Sequence, residues 1–171
     1  CYPGEDYQFL GMLGMHGTYE AHNAMHDYDL MITIGARFDD RITGMVNKFS
    51  PGSKKIHIDI DPSSINKVVK VDVGIVGDAC NVMNDMADSI KKKYPGFKNS
   101  NKEQISKWWE QINVWREKKS LSFRSSKTTI MPQYAVQRLH ELTKNQDTFM
   151  TTEVGQHQMW AAQHYKFSKP N

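Results

Sequence analysis

FLGMLGMHGTYEAHNAMHDYDLMITIGARFDDR, residues 9–41, decides how this chain is read. Its centre, Asp29 to Ala36 (DLMITIGA), is a short apolar run rich in β-forming residues, the pattern of a buried parallel strand. Before the run, Gly11, Gly14 and Gly17 are spaced GxxGxxG, and Thr18 can cap a helix over roughly Tyr19 to His26 with Glu20 in its first turn. After it comes Gly35-Ala36-Arg37-Phe38-Asp39-Asp40-Arg41, directly at the carboxyl end of the strand, where ligands of open α/β sheets bind. Two loops flanking one strand can serve packing alone, or can close on a phosphorylated ligand.

Working outward, Lys55 to Asp61 (KIHIDID) alternates as a second strand, and Asp61-Pro62-Ser63-Ser64 opens a short helix, proline being suited to a first turn. Val71 to Val76 fits a third strand ending at Gly77-Asp78. Ala79 to Lys93 carries Val82, Met86, Ala87 and Ile90 at a helical period, with Lys91, Lys92 and Lys93 at the carbonyl end of its dipole. Strands alternating with helices through short connections predict an α/β layered, Rossmann-like parallel sheet. Tyr94 to Asn101 reads as a surface break. A polar helix reaching about Lys119 follows, with Trp108, Trp109 and Trp115 as its core anchors. Ser120 to Thr129 looks like a linker. Beyond it a helix begins at Pro132, Thr148 to Thr152 reads as a strand, and Val154 to His164 turns into a helix. The expected domains are residues 1–93, a helix and linker at 94–129, and the start of another domain at 130–171.

Bulk properties narrow the function. With 171 residues the chain can bury an ordinary core, and 39% hydrophobic with 11% aromatic residues suits a globular protein rather than a disordered one. The net charge of +3 is spread rather than massed, which argues against a nucleic-acid surface. Two cysteines, Cys1 and Cys80, are too few for a disulfide framework or a zinc site. No apolar run is long enough to span a membrane, so a reducing, cytoplasmic setting is expected. The start at Cys1 and the stop at Asn171 read as those of an excised piece.

Four stretches could carry chemistry. Glycines at 11, 14 and 17 let backbone amides approach an anion closely, although a turn of small residues has the same spacing. Arg37 can grip a phosphate with paired hydrogen bonds while a nearby carboxylate orients it, the alternative being a surface salt-bridge cluster. Asp59 and Asp61 fall on the same face of their strand, at the end where a ribose or adenine partner is expected; Asp61 can cap the next helix as well. Gly77-Asp78 repeats that logic. In Thr151-Thr152-Glu153-Val154-Gly155-Gln156-His157 a strand meets a helix through a glycine, so helix-start amides can receive a diphosphate. No serine sits in a nucleophile elbow, neither cysteine has a nucleophile's context, and the seven histidines show no metal spacing.

Taken together, LGMLGMHGTYEAHNAMHDYDLMITIGARFDDR, KIHIDIDPSSINK and TTEVGQHQMWAAQ resemble, in consistent order over nearly the whole chain, the large catalytic subunits of acetolactate synthases (acetohydroxyacid synthases). The resemblance implies a thiamine-diphosphate-dependent carboligase of branched-chain amino-acid synthesis. It condenses two pyruvates, or pyruvate and 2-oxobutyrate, with loss of carbon dioxide. It further implies the second half of a central FAD-binding domain followed by the start of a thiamine-diphosphate domain. By resemblance Met15, His16, Gly17, Gly35, Ala36, Arg37, Asp39 and Arg41 line the FAD. Asp59, Ile60, Asp61, Gly77 and Asp78 take its adenosine side, and Val154, Gly155, Gln156 and His157 contact the thiamine diphosphate. The family's catalytic glutamate and its magnesium (Mg2+) motif are expected outside this chain, so no catalytic residue is expected within it. Glu153 is not that glutamate, and the piece alone is expected to be inactive. A homodimer or homotetramer with a small regulatory subunit is implied. The competing readings are another flavin-containing thiamine enzyme, such as a pyruvate oxidase or glyoxylate carboligase, or a nucleotide-binding module without catalysis.

Overall fold

The computed structural model describes residues 2–169 and divides into two compact units, Asn23–Glu117 and the residues up to His22 together with those from Lys118 onward. Both units contain α-helices, and the described strands all belong to Asn23–Glu117.

The sheet unit is built on three parallel strands in the order β1 (Leu30–Ile34), β2 (Lys54–Asp59), β3 (Val73–Val76). The register pairs Ile32 with Ile56, Thr33 with His57, Ile34 with Ile58 and Asp59 with Val76. Because side chains alternate, Met31, Thr33, Lys55, His57 and Asp59 share one face. That face carries the core: Met25 of α1 (Tyr19–Asp27), Phe38, Phe49 and Val69 cluster with Tyr28 and Met31 packed against them. Lys55 is buried there, and its Nζ donates to the carbonyls of Ser50 at 2.7 Å and Ser53 at 3.0 Å. Those two bonds offset the cost of taking an ammonium out of water. The opposite face holds Ile58, fully buried, which is worth about 1.5–3 kcal/mol.

Short segments join the strands. After β1 come α2 (Asp40–Thr43) and one 3-10 turn at Val46–Lys48; after β2 a 3-10 turn spans Pro62–Ser64. The helix α3 (Ala79–Lys93) packs against β2, with Val82 set so close to Gly77 that a β-carbon there would lie 2.9 Å from its Cγ2. α4 (Phe97–Ser100) and α5 (Lys102–Arg116) complete the unit.

Three expectations for this unit need correcting. β1 is not buried on both faces: Leu30, Ile32 and Ile34, on the face of this edge strand that alternates with Met31 and Thr33, are 40–48% exposed. The break at 94–101 contains α4, a single turn entered through Gly96. The tryptophans of α5 are only half-buried, Trp108 and Trp115 meeting edge to face at 5.6 Å, and Ile112 is the anchor, 2% exposed.

In the other unit α6 (Pro132–Thr143) packs on α7 (Gln156–His164). Tyr165 closes this core, its hydroxyl 2.8 Å from Thr143 Oγ1 and its ring 5.0 Å from that of His140. The chain's first residues join through Gly4, whose N–H donates to the Phe167 carbonyl at 2.7 Å. The strand expected at Thr148–Thr152 is absent: the segment is irregular, with Phe149 exposed. A strand needs a neighbouring ladder to pair its backbone groups, and the described residues of this unit supply none.

Candidate functional site

Parallel strands bring their carboxyl ends to one edge, and in the sheet unit the next residues lace that edge together. Gly35 N–H donates to the Ile58 carbonyl at 2.9 Å, and Gly77 N–H donates to the Asp59 carbonyl at 3.0 Å. The structure therefore sets Gly35, Asp59 and Gly77 in a row, each opening a loop that carries polar groups. Of the residues singled out from sequence, Gly35, Ala36, Arg37, Asp39, Arg41, Asp59, Ile60, Asp61, Gly77 and Asp78 all belong to these three loops.

The Gly35–Arg41 loop is pinned from within. Phe38 has φ +54°, a left-handed backbone rarely adopted by a bulky side chain, and its ring is buried. That ring meets Phe49 at 5.9 Å and the imidazole of His57 at 5.1 Å, both edge to face. With Phe38 turned inward, its neighbours turn outward. Arg37 is largely exposed and pairs with Asp39. Asp39 caps α2, Oδ1 accepting from Arg41 N–H at 3.0 Å; that bond, more than the Arg37 guanidinium, holds its carboxyl below the ordinary range. Arg41 itself is exposed, 3.9 Å from Asp40.

After β2, Asp59 Oδ1 accepts from Asp61 N–H at 2.9 Å, which bends the chain and presents Ile60, 73% exposed, outward. Asp61 is the N-cap of the turn that follows, accepting from Ser63 N–H and Ser63 Oγ, both at 2.8 Å. The Ser63 hydroxyl, then its N–H, depress the Asp61 pKa. After β3, Asp78 caps α3 by accepting from Asn81 N–H at 3.0 Å. Four carboxylates, Asp39, Asp59, Asp61 and Asp78, are thus fixed at one sheet edge, each by a backbone amide.

Met15, His16 and Gly17 belong to the other unit. Their loop winds around Thr18: Gly17 N–H donates to the Gly14 carbonyl at 2.9 Å, and Thr18 Oγ1 reaches the Leu10 carbonyl while receiving Ala21 N–H at the start of α1. A β-carbon at Gly17 would stand 2.2 Å from the Met12 carbonyl oxygen, so the tight winding requires glycine. Met15 is exposed, and the His16 carbonyl accepts from Gln163 at 2.8 Å.

Val154, Gly155, Gln156 and His157 stand at the start of α7, with Gly155 as N-cap and no side chain capping the helix. Val154, Gln156 and His157 are exposed. A β-carbon on Gly155 would lie 2.9 Å from the His157 ring, so glycine lets that ring fold back over the helix start. A nine-residue helix whose first amides lack a side-chain cap can receive an anion. A cleft of about 210 Å³ in the same unit is lined by Glu5, His140, Asp147 and Tyr165 among others, and not by residues 154–157. Among the described residues no cluster of histidine, cysteine or carboxylate side chains could hold a metal ion, and Cys80 is a free, exposed thiol.

Sequence reasoning assigned nothing to Phe38 or His57. The signal was there in alternation: His57 shares a strand face with Asp59, so the residue beneath the carboxylate was already determined.

Known proteins agree with this architecture. The profile of the family described as "Thiamine pyrophosphate enzyme, central domain", a Rossmann-like α/β fold, matches residues 1–86. The acetolactate synthase large subunit of Haemophilus influenzae is 48% identical over 170 residues, covering 99% of this chain and 29% of that protein. The large subunit from Buchnera aphidicola subsp. Schizaphis graminum is 44% identical, covering 99% and 28%. The isozyme 3 large subunit of Escherichia coli is 43% identical, covering 99% and 29%. The chain spans less than a third of the length of these relatives. With half its residues matched by that profile, and parallel strands ending on a polar edge, the chain belongs to the thiamine pyrophosphate enzymes through their central domain.

Proposed function

We propose that the chain is part of an acetolactate synthase large subunit, which condenses two pyruvates, or pyruvate and 2-oxobutyrate, with release of carbon dioxide. Its sheet edge holds FAD, and the start of α7 holds the diphosphate of thiamine diphosphate. The observation that carries this reading is the row of Gly35, Asp59 and Gly77 at the strand ends, each opening a loop with a fixed carboxylate. The donor set fits a dinucleotide. Asp59 and Asp61 accept from a sugar or base, Gly77 and Asp78 border them, and Arg37 is free of the core to meet a phosphate beside Ala36, Asp39 and Arg41. Met15, His16 and Gly17 are read as flavin contacts on the sequence resemblance alone.

At α7 the uncapped amides and the dipole favour a diphosphate, with Gln156 and His157 as side-chain donors beside Val154 and Gly155. Thiamine diphosphate supplies the carbon–carbon chemistry when bound; the residues here bind and orient it. Magnesium (Mg2+), which the reaction requires, is assigned no ligand in this chain. The catalytic subunits assemble as a homodimer or homotetramer with a small regulatory subunit in the cytoplasm. Among the described residues no helix is long and apolar enough to cross a membrane.

The full-length enzyme tests the assignment when assayed with pyruvate, thiamine diphosphate, magnesium and FAD. Acetolactate as the product supports it. Hydrogen peroxide without acetolactate points instead to a flavin-linked pyruvate oxidase.

A further inference from the structure

His57 is fully buried, and neither of its ring nitrogens makes a hydrogen bond among the described residues. The slot it occupies is closed by the Phe38 ring at 5.1 Å, which contributes no acceptor. An apolar side chain would fill such a slot without leaving a buried N–H uncompensated, so an imidazole there needs a polar partner. The carboxylate within reach is Asp59 on the same strand face, with Oδ2 3.7 Å from Nε2. That distance exceeds a hydrogen bond and lies within ion-pair reach, so a small rotation of the carboxylate closes it. Asp59 is itself only 13% exposed, and its other oxygen is occupied by the Asp61 N–H. Its remaining freedom is rotation about the bond that swings Oδ2 toward or away from His57.

Resting on the reading of Asp59 as the acceptor for a nucleotide's sugar or base, we infer that His57 is the positioning residue of that site. Its Nε2–H holds Asp59 Oδ2 from below, so that the exposed rim of the carboxylate faces the ligand's hydroxyl or amine donors. Because the same ring carries Phe38, it also ties the Gly35–Arg41 loop to the second strand end. One buried imidazole thus sets two neighbouring loops of the row.

The experiment measures FAD affinity of the full-length enzyme, by flavin fluorescence, in His57→Phe, His57→Gln, Asp59→Asn and the double variant His57→Phe/Asp59→Asn. Phenylalanine keeps the aromatic contact and removes the nitrogens; His57→Leu replaces it if the larger ring prevents folding. We expect His57→Phe to weaken FAD about tenfold, and His57→Gln, whose amide reaches a similar point, to stay within about threefold of the parent. In the Asp59→Asn background the His57→Phe change should add almost nothing. An equal loss in both backgrounds, or no loss with Asp59 intact, overturns the positioning role. If Asp59→Asn alone leaves FAD affinity unchanged, the reading of Asp59 as a ligand contact fails, a result distinct from the failure of His57.

Discussion

Arg37 leaves the sheet edge with its guanidinium mostly in water, paired with Asp39 and committed to nothing in the core. An exposed ion pair of this kind contributes about 0–1 kcal/mol to stability, so removing it should not harm the fold. Its loss should fall on a ligand. We expect Arg37→Ala in the full-length enzyme to weaken FAD about tenfold, the lower end of a charge-assisted bond's ~1.5–3 kcal/mol because of that exposure. Thiamine diphosphate affinity should stay as it was, and fluorescence titration of both cofactors decides it: parent-like FAD binding would remove Arg37 from the site. At this scale the sequence was legible wherever a side chain does its work at its own position. Asp61 as a cap and Thr18 as a helix start follow from local spacing. Phe38 did not follow, because its role depends on a left-handed backbone and on a ring contact to a strand 19 residues away, neither of which a local pattern encodes.

Asp72 adds to the strand ladder in joining β2 to β3. Its Oδ1 accepts from Lys54 Nζ at 2.8 Å and its Oδ2 from Lys55 N–H at 2.9 Å, so the entry to β3 is clamped to the start of β2. Lys54 and then the Lys55 N–H hold the Asp72 carboxyl below its ordinary value of 3.8. A depressed carboxylate contributes stability that is present above the ordinary value and lost as pH falls through the lower folded one. The Lys54 amine is raised by Asp72 above 10.5, so its share is present below that value and lost as pH rises through the higher folded one. We expect Asp72→Asn to lower the stability of the full-length enzyme at neutral pH and to flatten its dependence on pH below about 4. Thermal unfolding across that range measures it, and an acid limb as steep as the parent's would dismiss the clamp. Strands were legible here because apolar runs bounded by glycine and aspartate stand out at period two or as unbroken stretches. Thr148–Thr152 has the same composition without a partner ladder, and composition alone does not supply one.

For the whole molecule, the family assignment rests on the match of residues 1–86 to the central domain of thiamine pyrophosphate enzymes, a stretch that holds the glycine loop, α1 and the three strand ends. What was legible was the succession of these parts. How far the apolar face of Leu30, Ile32 and Ile34 would be covered was not, since that depends on chain packed against it rather than on the strand's own residues. The proposed function puts two cofactors on separate groups, FAD at the sheet edge and thiamine diphosphate at α7. Its most direct test is a crossed titration of FAD and thiamine diphosphate into the full-length enzyme carrying Asp59→Asn or His157→Ala. The expected result is a split: Asp59→Asn raises the FAD requirement alone, and His157→Ala raises the thiamine diphosphate requirement alone, each by about tenfold. Either variant weakening both cofactors together, or neither cofactor responding, would contradict it.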